Sequence, residues 1–140
     1  MGSRVRAAGL LVYRVVGEKK FEYLLLQASY EPHHWTPPKG HVDPGEDEWQ
    51  AALRETQEEA HIEQSQLEID KNFKYEMFYE ANGKPKSVHY WLAKLKNNDA
   101  VKLSHEHQNW KWAEVADAIT TTKFPEMEKM LRKAEEYLQK

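Results

Sequence analysis

Five glutamates stand between Gly40 and Ile62, and three of them, Glu55, Glu58 and Glu59, follow Arg54 at helical spacing. At about 100° per residue, Trp49, Ala52, Leu53, Thr56 and Ala60 share one face of a helix, and the three glutamates share a separate arc of roughly 100°. Carboxylates three and four positions apart lie about 5–6 Å apart at Cβ, and each like-charge pair weakens an isolated helix. A solvated acidic face after a turn is the plainer account of such an arc. The preceding loop, Gly40-His41-Val42-Asp43-Pro44-Gly45-Glu46, makes the arc part of a larger constellation. Converging hard oxygen donors suit a divalent cation, magnesium or manganese in preference to zinc. Such a cation neutralises the oxygens of a phosphoanhydride and makes water a nucleophile at neutral pH. Either Glu55 or Glu58 can then act as general base, and the residues leave that choice open. Arg54, one turn before Glu58, is placed to orient these acids; as a mere surface ion pair it would contribute under about 1 kcal/mol.

Two further patches carry chemistry. Tyr30-Glu31-Pro32-His33-His34-Trp35-Thr36-Pro37-Pro38-Lys39 joins flat rings to a cation, and Tyr79, Lys84, Lys86 and Tyr90 repeat the mixture. An aromatic ring stacked on a base contributes about 1–3 kcal/mol, and lysine meets phosphate as a point charge. Any one ring, Trp35 and Tyr90 included, could instead serve core or strand packing, and Lys84 could be an ordinary turn lysine. In Ser104-His105-Glu106-His107 the histidine pair lacks a third soft ligand for zinc. Loop histidines with ordinary hydrogen bonds are the commoner outcome there; Glu106 is read as a distal carboxylate reaching back toward the metals, with His105 and His107 as weaker candidates.

The elements that must position these groups follow from pattern and punctuation. Val5–Val16 reads as a strand, Gly17-Glu18-Lys19-Lys20 as a turn and Phe21–Ala28 as a second strand. The proline-rich stretch from Tyr30 to Pro44 reads as irregular and shapes a cleft. The acidic helix is expected from about Glu46 to His61. Leu67–Tyr79 reads as extended, Asn82-Gly83 as a hairpin turn and Lys86–Leu95 as the returning strand. After a turn at Asn97-Asn98-Asp99 come a short strand at Trp110–Trp112 and a helical turn from Glu114 to Ile119. Behind Pro125, the residues Met127, Met130, Leu131, Ala134 and Leu138 recur at helical spacing and mark a core-packing helix. One domain over residues 1–140, with a mixed sheet and flanking helices, is the expectation.

Composition narrows the functional classes. The 140 residues suit one core, and 40% hydrophobic with 31% charged residues is the balance of a soluble globular protein. The net charge of −3 lacks the basic excess of a general nucleic-acid binder. With no cysteine there is neither disulfide, thiolate zinc site nor cysteine nucleophile. The apolar runs are too short to span a membrane, and the N-terminus lacks an apolar signal region. Gly2 hints at myristoylation, but Arg6 stands where that motif wants serine or threonine. A monomer of the cytoplasm, with the nucleus also open to it, is expected, without a membrane or stable nucleic-acid partner.

Taken together, Gly40, Gly45, Glu46, Arg54, Glu55, Glu58 and Glu59 match the Nudix box: glycine, five residues, glutamate, seven residues, then Arg-Glu-any-any-Glu-Glu. Two positions depart from it. His61 stands where the family usually has glycine, a capping or strain change at the helix end, and Thr56 stands where a larger aliphatic is commoner. Gln27-Ala28-Ser29-Tyr30, residues 33–42 and Leu103-Ser104-His105-Glu106-His107 also resemble the animal-type asymmetric diadenosine tetraphosphate hydrolases of that family. The likeness runs from Ala7 to at least Trp112 and weakens in the last helix. It implies an α/β fold, the Nudix α/β/α sandwich with a mixed central sheet. It further implies magnesium-dependent hydrolysis of a small-molecule partner, a dinucleoside polyphosphate: P1,P4-bis(5′-adenosyl) tetraphosphate is split to ATP and AMP by water attack on a terminal phosphate. Glu55, Glu58 and Glu59 would be the helical metal ligands, with the Gly40 carbonyl nearby and Glu106 joining them. Tyr30 and Tyr79 would sandwich an adenine, His34, Lys39 and Lys86 would hold phosphates, and Trp35 and Tyr90 would line the pocket. The alternatives are a Nudix enzyme acting on capped RNA, diphosphoinositol phosphates or a damaged nucleoside triphosphate, and a module that binds nucleotides without cleaving them.

Overall fold

The computed structural model describes residues 4–81, 83–97 and 101–140. In chain order the elements are β1 (Val5–Gly17), β2 (Lys20–Ala28), β3 (Trp35–Thr36), β4 (Lys39–His41), α1 (Glu48–Ala60), a 3-10 turn (Gln64–Gln66), β5 (Leu67–Ala81), β6 (Lys84–Leu95), β7 (His107–Ala113), α2 (Val115–Thr122) and α3 (Pro125–Gln139).

β1 is the hub of the sheet. It pairs antiparallel with β2 and β4, and parallel with β6 from Val5↔Lys86 to Tyr13↔Lys94. β5 and β6 form a hairpin closing at Ala81↔Lys84, and β2 carries β3 and β7. The result is a mixed, largely antiparallel sheet. Successive strand residues point to opposite faces, and both faces here are apolar, so β1 and β2 read as continuous hydrophobic runs. Ala7, Leu11, Tyr23, Leu25, Val88, Tyr90 and Leu92 meet Met127, Met130, Leu131 and Ala134 of α3 on one face. Ala8, Leu10, Val12, Leu24, Leu26, Trp91 and Ala93 meet Ala51, Ala52 and Ala60 of α1 on the other. Helices on both faces of a mixed sheet make the α/β/α sandwich.

The differences from expectation have local causes. α1 begins at Glu48 and not at Glu46, because Asp47 and Gln50 form a reciprocal capping box. The stretch from Tyr30 to Pro44 is not wholly irregular: β3 and β4 are too short to show alternation, and β4 lies on β1 with Ala8 opposite Gly40. Gly9 allows that approach, since a Cβ there would collide with the Pro38 carbonyl and Lys39. β7 starts earlier than Trp110, at His107, and α2 runs past Ile119 to Thr122, where the Thr122 hydroxyl donates to Ala118 O at 2.9 Å. Gly2, Asn82, Asn98 and Asp99 lie outside the described residues. No described helix is long and apolar enough to cross a membrane.

Candidate active site

Arg54 organises the acidic helix. Its Nε and Nη2 fork onto the Glu46 carboxylate at 2.7 and 3.0 Å, and Nη2 also donates to His41 O at 3.0 Å. Nη1 donates to Glu55 at 3.2 Å and to Glu58 at 3.1 Å, and Asp43 stands 3.3 Å from Nη2. The hydrogen bond to Glu46 pushes the guanidinium pKa further up and holds the Glu46 carboxyl below its usual range. A planar fork of donors suits this work better than an ammonium. One side chain thereby fastens residues 41–46 to α1 and aims two of its acids.

Gly40 has a steric reason. A Cβ at this position would fall on the Glu55 carboxylate, so only glycine lets β4 and that acid meet. Glu55 is raised in pKa by burial first, against Arg54, with Glu58 and Glu106 adding repulsion. Glu59, 7% exposed, accepts the Lys39 N–H at 3.1 Å. Burial pushes its pKa up to about 8, and the charges of Glu55 and Glu106 act in the same direction. Four carboxylates, those of Glu55, Glu58, Glu59 and Glu106, are therefore electrostatically linked. Among the described residues no trio of His, Asp or Glu side chains is arranged to hold an ion as it stands. Arg54 and the Lys39 N–H engage three of these acids instead. An all-oxygen set that is part-buried and mutually repelling nevertheless fits a hard divalent cation, which would relieve both penalties.

A cleft of about 550 Å³ opens beside these acids, a volume suited to a small-molecule ligand. Glu59 and Glu106 line it, and so do Lys39 and Lys86. Burial lowers the Lys86 pKa to about 8, and the neighbouring Lys39 charge adds to the effect. Two crowded ammonium groups make the pocket a site for anions. Tyr30, His34, Trp35, Tyr79 and Tyr90 complete the expected lining. Tyr30 is 65% exposed, whereas Tyr90 is fully buried and joins the core as well as the cleft wall. Trp35 has Lys111 Nζ at 5.9 Å from its ring, and Asp117 holds that lysine at 2.9 Å. Gly40, Arg54, Glu55 and Glu58 do not line the cleft; Glu55 connects them to it through its effect on Glu59. Lys84 is exposed and outside the lining.

Phe124 is a lining residue that a reading of the sequence does not single out. Phe124 meets Tyr79 edge-on with ring centroids 5.1 Å apart. Its place before Pro125 marks it only as a helix start. His107, a weaker candidate than Glu106 in the sequence, opens β7 with its side chain 10% exposed and Nε2 3.9 Å from Glu59. Its buried Nδ1 has no hydrogen-bond partner among the described residues, and burial lowers its pKa.

The same arrangement has relatives. The NUDIX domain profile matches residues 3–134. A bis(5′-nucleosyl)-tetraphosphatase, asymmetrical, of Caenorhabditis elegans is 64% identical over 134 residues, spanning 96% of each chain. The Rattus norvegicus protein of that name is 47% identical over 140 residues, covering 96% of this chain and 95% of its own. The crystal structure of a C. elegans Ap4A hydrolase binary complex superposes with a TM-score of 0.93 at 64% identity, covering 96% of this chain and 97% of that one.

Proposed function

We propose, on the premise that this chain belongs to the Nudix family of hydrolases, that its reaction is the asymmetric hydrolysis of P1,P4-bis(5′-adenosyl) tetraphosphate to ATP and AMP. The observation that carries the proposal is one cleft holding paired lysines, exposed and edge-on aromatic rings, and two carboxylates of a linked acidic set. The names of the C. elegans and rat relatives point to the same substrate. An inositol phosphate would leave the rings without a partner, and the acidic net charge of −3 disfavours long RNA.

Nudix hydrolases generally use divalent cations, and we assign magnesium, with manganese as a substitute, to Glu55, Glu59, Glu106 and the Gly40 carbonyl. When bound, such an ion neutralises phosphate oxygens and activates water. The chain's own groups supply the rest. Lys39, Lys86 and His34 bind the tetraphosphate, and the charge of the two lysines draws it into line with the acids. Tyr79 takes one adenine, with Phe124 bracing its ring and Tyr30 at the exposed edge. Trp35 and the buried Tyr90 form the walls that hold the bridge against the carboxylates. Glu58 is the most open acid of this set on α1, its side chain 52% exposed against 13% for Glu55, and one Arg54 nitrogen holds it. We therefore assign Glu58 to accept the proton of the attacking water. The new P–O bond forms at a terminal phosphorus, the adjoining anhydride P–O bond breaks, and ATP departs.

The direct test is hydrolysis in oxygen-18 water with magnesium, with and without chelator. ATP and AMP are expected in equal amounts, with the label in AMP and no products under chelation. Two ADP molecules, or label in ATP, would contradict the reading. A second expectation concerns Tyr79→Ala, which removes a stacking ring but no reacting group. Its KM should rise about tenfold with kcat nearly unchanged, the scale of one lost aromatic–base contact. A steady-state titration with unchanged KM would place the adenine elsewhere.

A further inference from the structure

His61 closes α1 in the left-handed region, with φ 57° and ψ 37°, its N–H donating to Gln57 O at 2.9 Å. Glycine adopts this conformation without strain, whereas an imidazole side chain does not. The ring compensates in a particular way. Nδ1 lies 2.6 Å from the Lys102 carbonyl, and since a carbonyl only accepts, Nδ1 carries the hydrogen. Two backbone bonds run beside this one: Lys102 N–H to Ala60 O at 3.1 Å and Ser104 N–H to Glu59 O at 3.3 Å. Together they lay residues 102–104 across the C-terminal end of α1. At its other end the segment is tied to the residue that follows β2, where Ser29 N–H donates to Glu106 O at 2.9 Å and Ser29 Oγ to His105 O at 3.1 Å. Glu106 sits at this second anchorage, and its charge acts on Glu55 and Glu59.

We propose that His61 is a positioning residue for Glu106, acting through the Lys102 carbonyl to hold the segment that carries this acid against α1. Glycine at position 61 keeps the helix cap and both backbone bonds, relieves the strained dihedral, and loses only the ring bond. Stability and positioning are thereby separable in one substitution. The proposal rests on the reading of Glu106 as part of the cation site, but its first test does not.

In metal-free protein, His61→Gly should speed hydrogen exchange at the amides of residues 101–107 by about fivefold, the scale of one exposed hydrogen bond. The melting temperature should be unchanged or higher. His61→Asn should restore wild-type exchange, because asparagine tolerates the left-handed region and its amide can donate to the same carbonyl. In turnover of diadenosine tetraphosphate, the magnesium concentration for half-activation should rise about fivefold in His61→Gly and recover in His61→Asn. Once Glu106→Gln is present, adding His61→Gly should leave that concentration unchanged. Unchanged exchange in His61→Gly, faster exchange throughout the molecule, or an equal magnesium effect with and without Glu106 would each overturn the proposal. A wild-type protein that leaves diadenosine tetraphosphate intact would sink the substrate assignment, and the exchange result would still decide the role of His61.

Discussion

Glu59→Gln should lower kcat by about 10²-fold or more, the scale of losing one preorganised electrostatic group, while making the metal-free protein more stable at alkaline pH. The opposite signs follow from a single cause. Glu59 is buried beside Glu55 and Glu106, and its carboxyl is pushed up to about 8 in the folded chain. Between roughly pH 4.5 and 8 the folded state therefore holds a proton that the unfolded chain has released. Stability declines over that window as pH rises, by on the order of 5 kcal/mol for so large a shift. Glutamine keeps an oxygen for the Lys39 N–H and removes the titration. His41, His89 and His107 have lowered pKa values, chiefly through burial, and contribute stability that is lost as pH falls. The informative quantity is thus the difference between variant and wild type. Calorimetry in chelator should show melting temperatures close together at pH 4 and the variant several degrees higher at pH 8.5. Millimolar magnesium should close the gap by stabilising only the wild type. A variant no more stable than wild type at pH 8.5 would remove the case for strain at this carboxylate.

Glu58→Gln should lower kcat by about 10²–10⁴-fold, the usual contribution of a general base, and leave the fold intact. The side chain is half exposed and its protein contact is the 3.1 Å bond from Arg54 Nη1. An amide oxygen can accept that bond, so the Glu46–Arg54 fork and the loop it fastens are undisturbed. Because glutamine cannot take a proton from water, the loss should fall on kcat, with substrate affinity nearly constant. Rapid-quench measurement of a single turnover separates this step from product release. A kcat within threefold of wild type would move proton acceptance to Glu55 and void the assignment made above.

The acidic constellation was legible because it is compressed: Arg54, Glu55, Glu58 and Glu59 repeat at distances that any α-helix converts into neighbours. The reason for glycine at position 40 was not legible, since it depends on β4 meeting Glu55 across the fold. Arg54 was placed as an organiser of acids, but its strongest partner, Glu46, lies eight residues back along a loop. β3 and β4 were hidden by their length, and the parallel pairing of β1 with β6 joins residues about eighty positions apart that share no local signature. α1 starts two residues later than its acidic pattern suggests, although Asp47 and Gln50 spell a capping box. Phe124 is not legible, because before Pro125 it reads as local punctuation, and only the packing of β7 and α2 around the sheet brings it into one cleft with His107.

The two-faced sheet has a consequence for how such a molecule can diversify. α1, with its acids, packs on the face of Leu10 and Leu24, while the rings and the Met127 helix that border the cleft belong to the face of Leu11 and Leu25. On the assignment proposed above, the groups that break the bond and those that choose what is broken thus grow from opposite sides of one partition, meeting at its rim through Lys39 and Glu59. Substitutions confined to one side should combine independently with those on the other. On that assignment, a lineage refashions its choice of substrate by editing Trp35, Tyr79, Phe124 and Met127 on one face while inheriting the acids of the other unaltered.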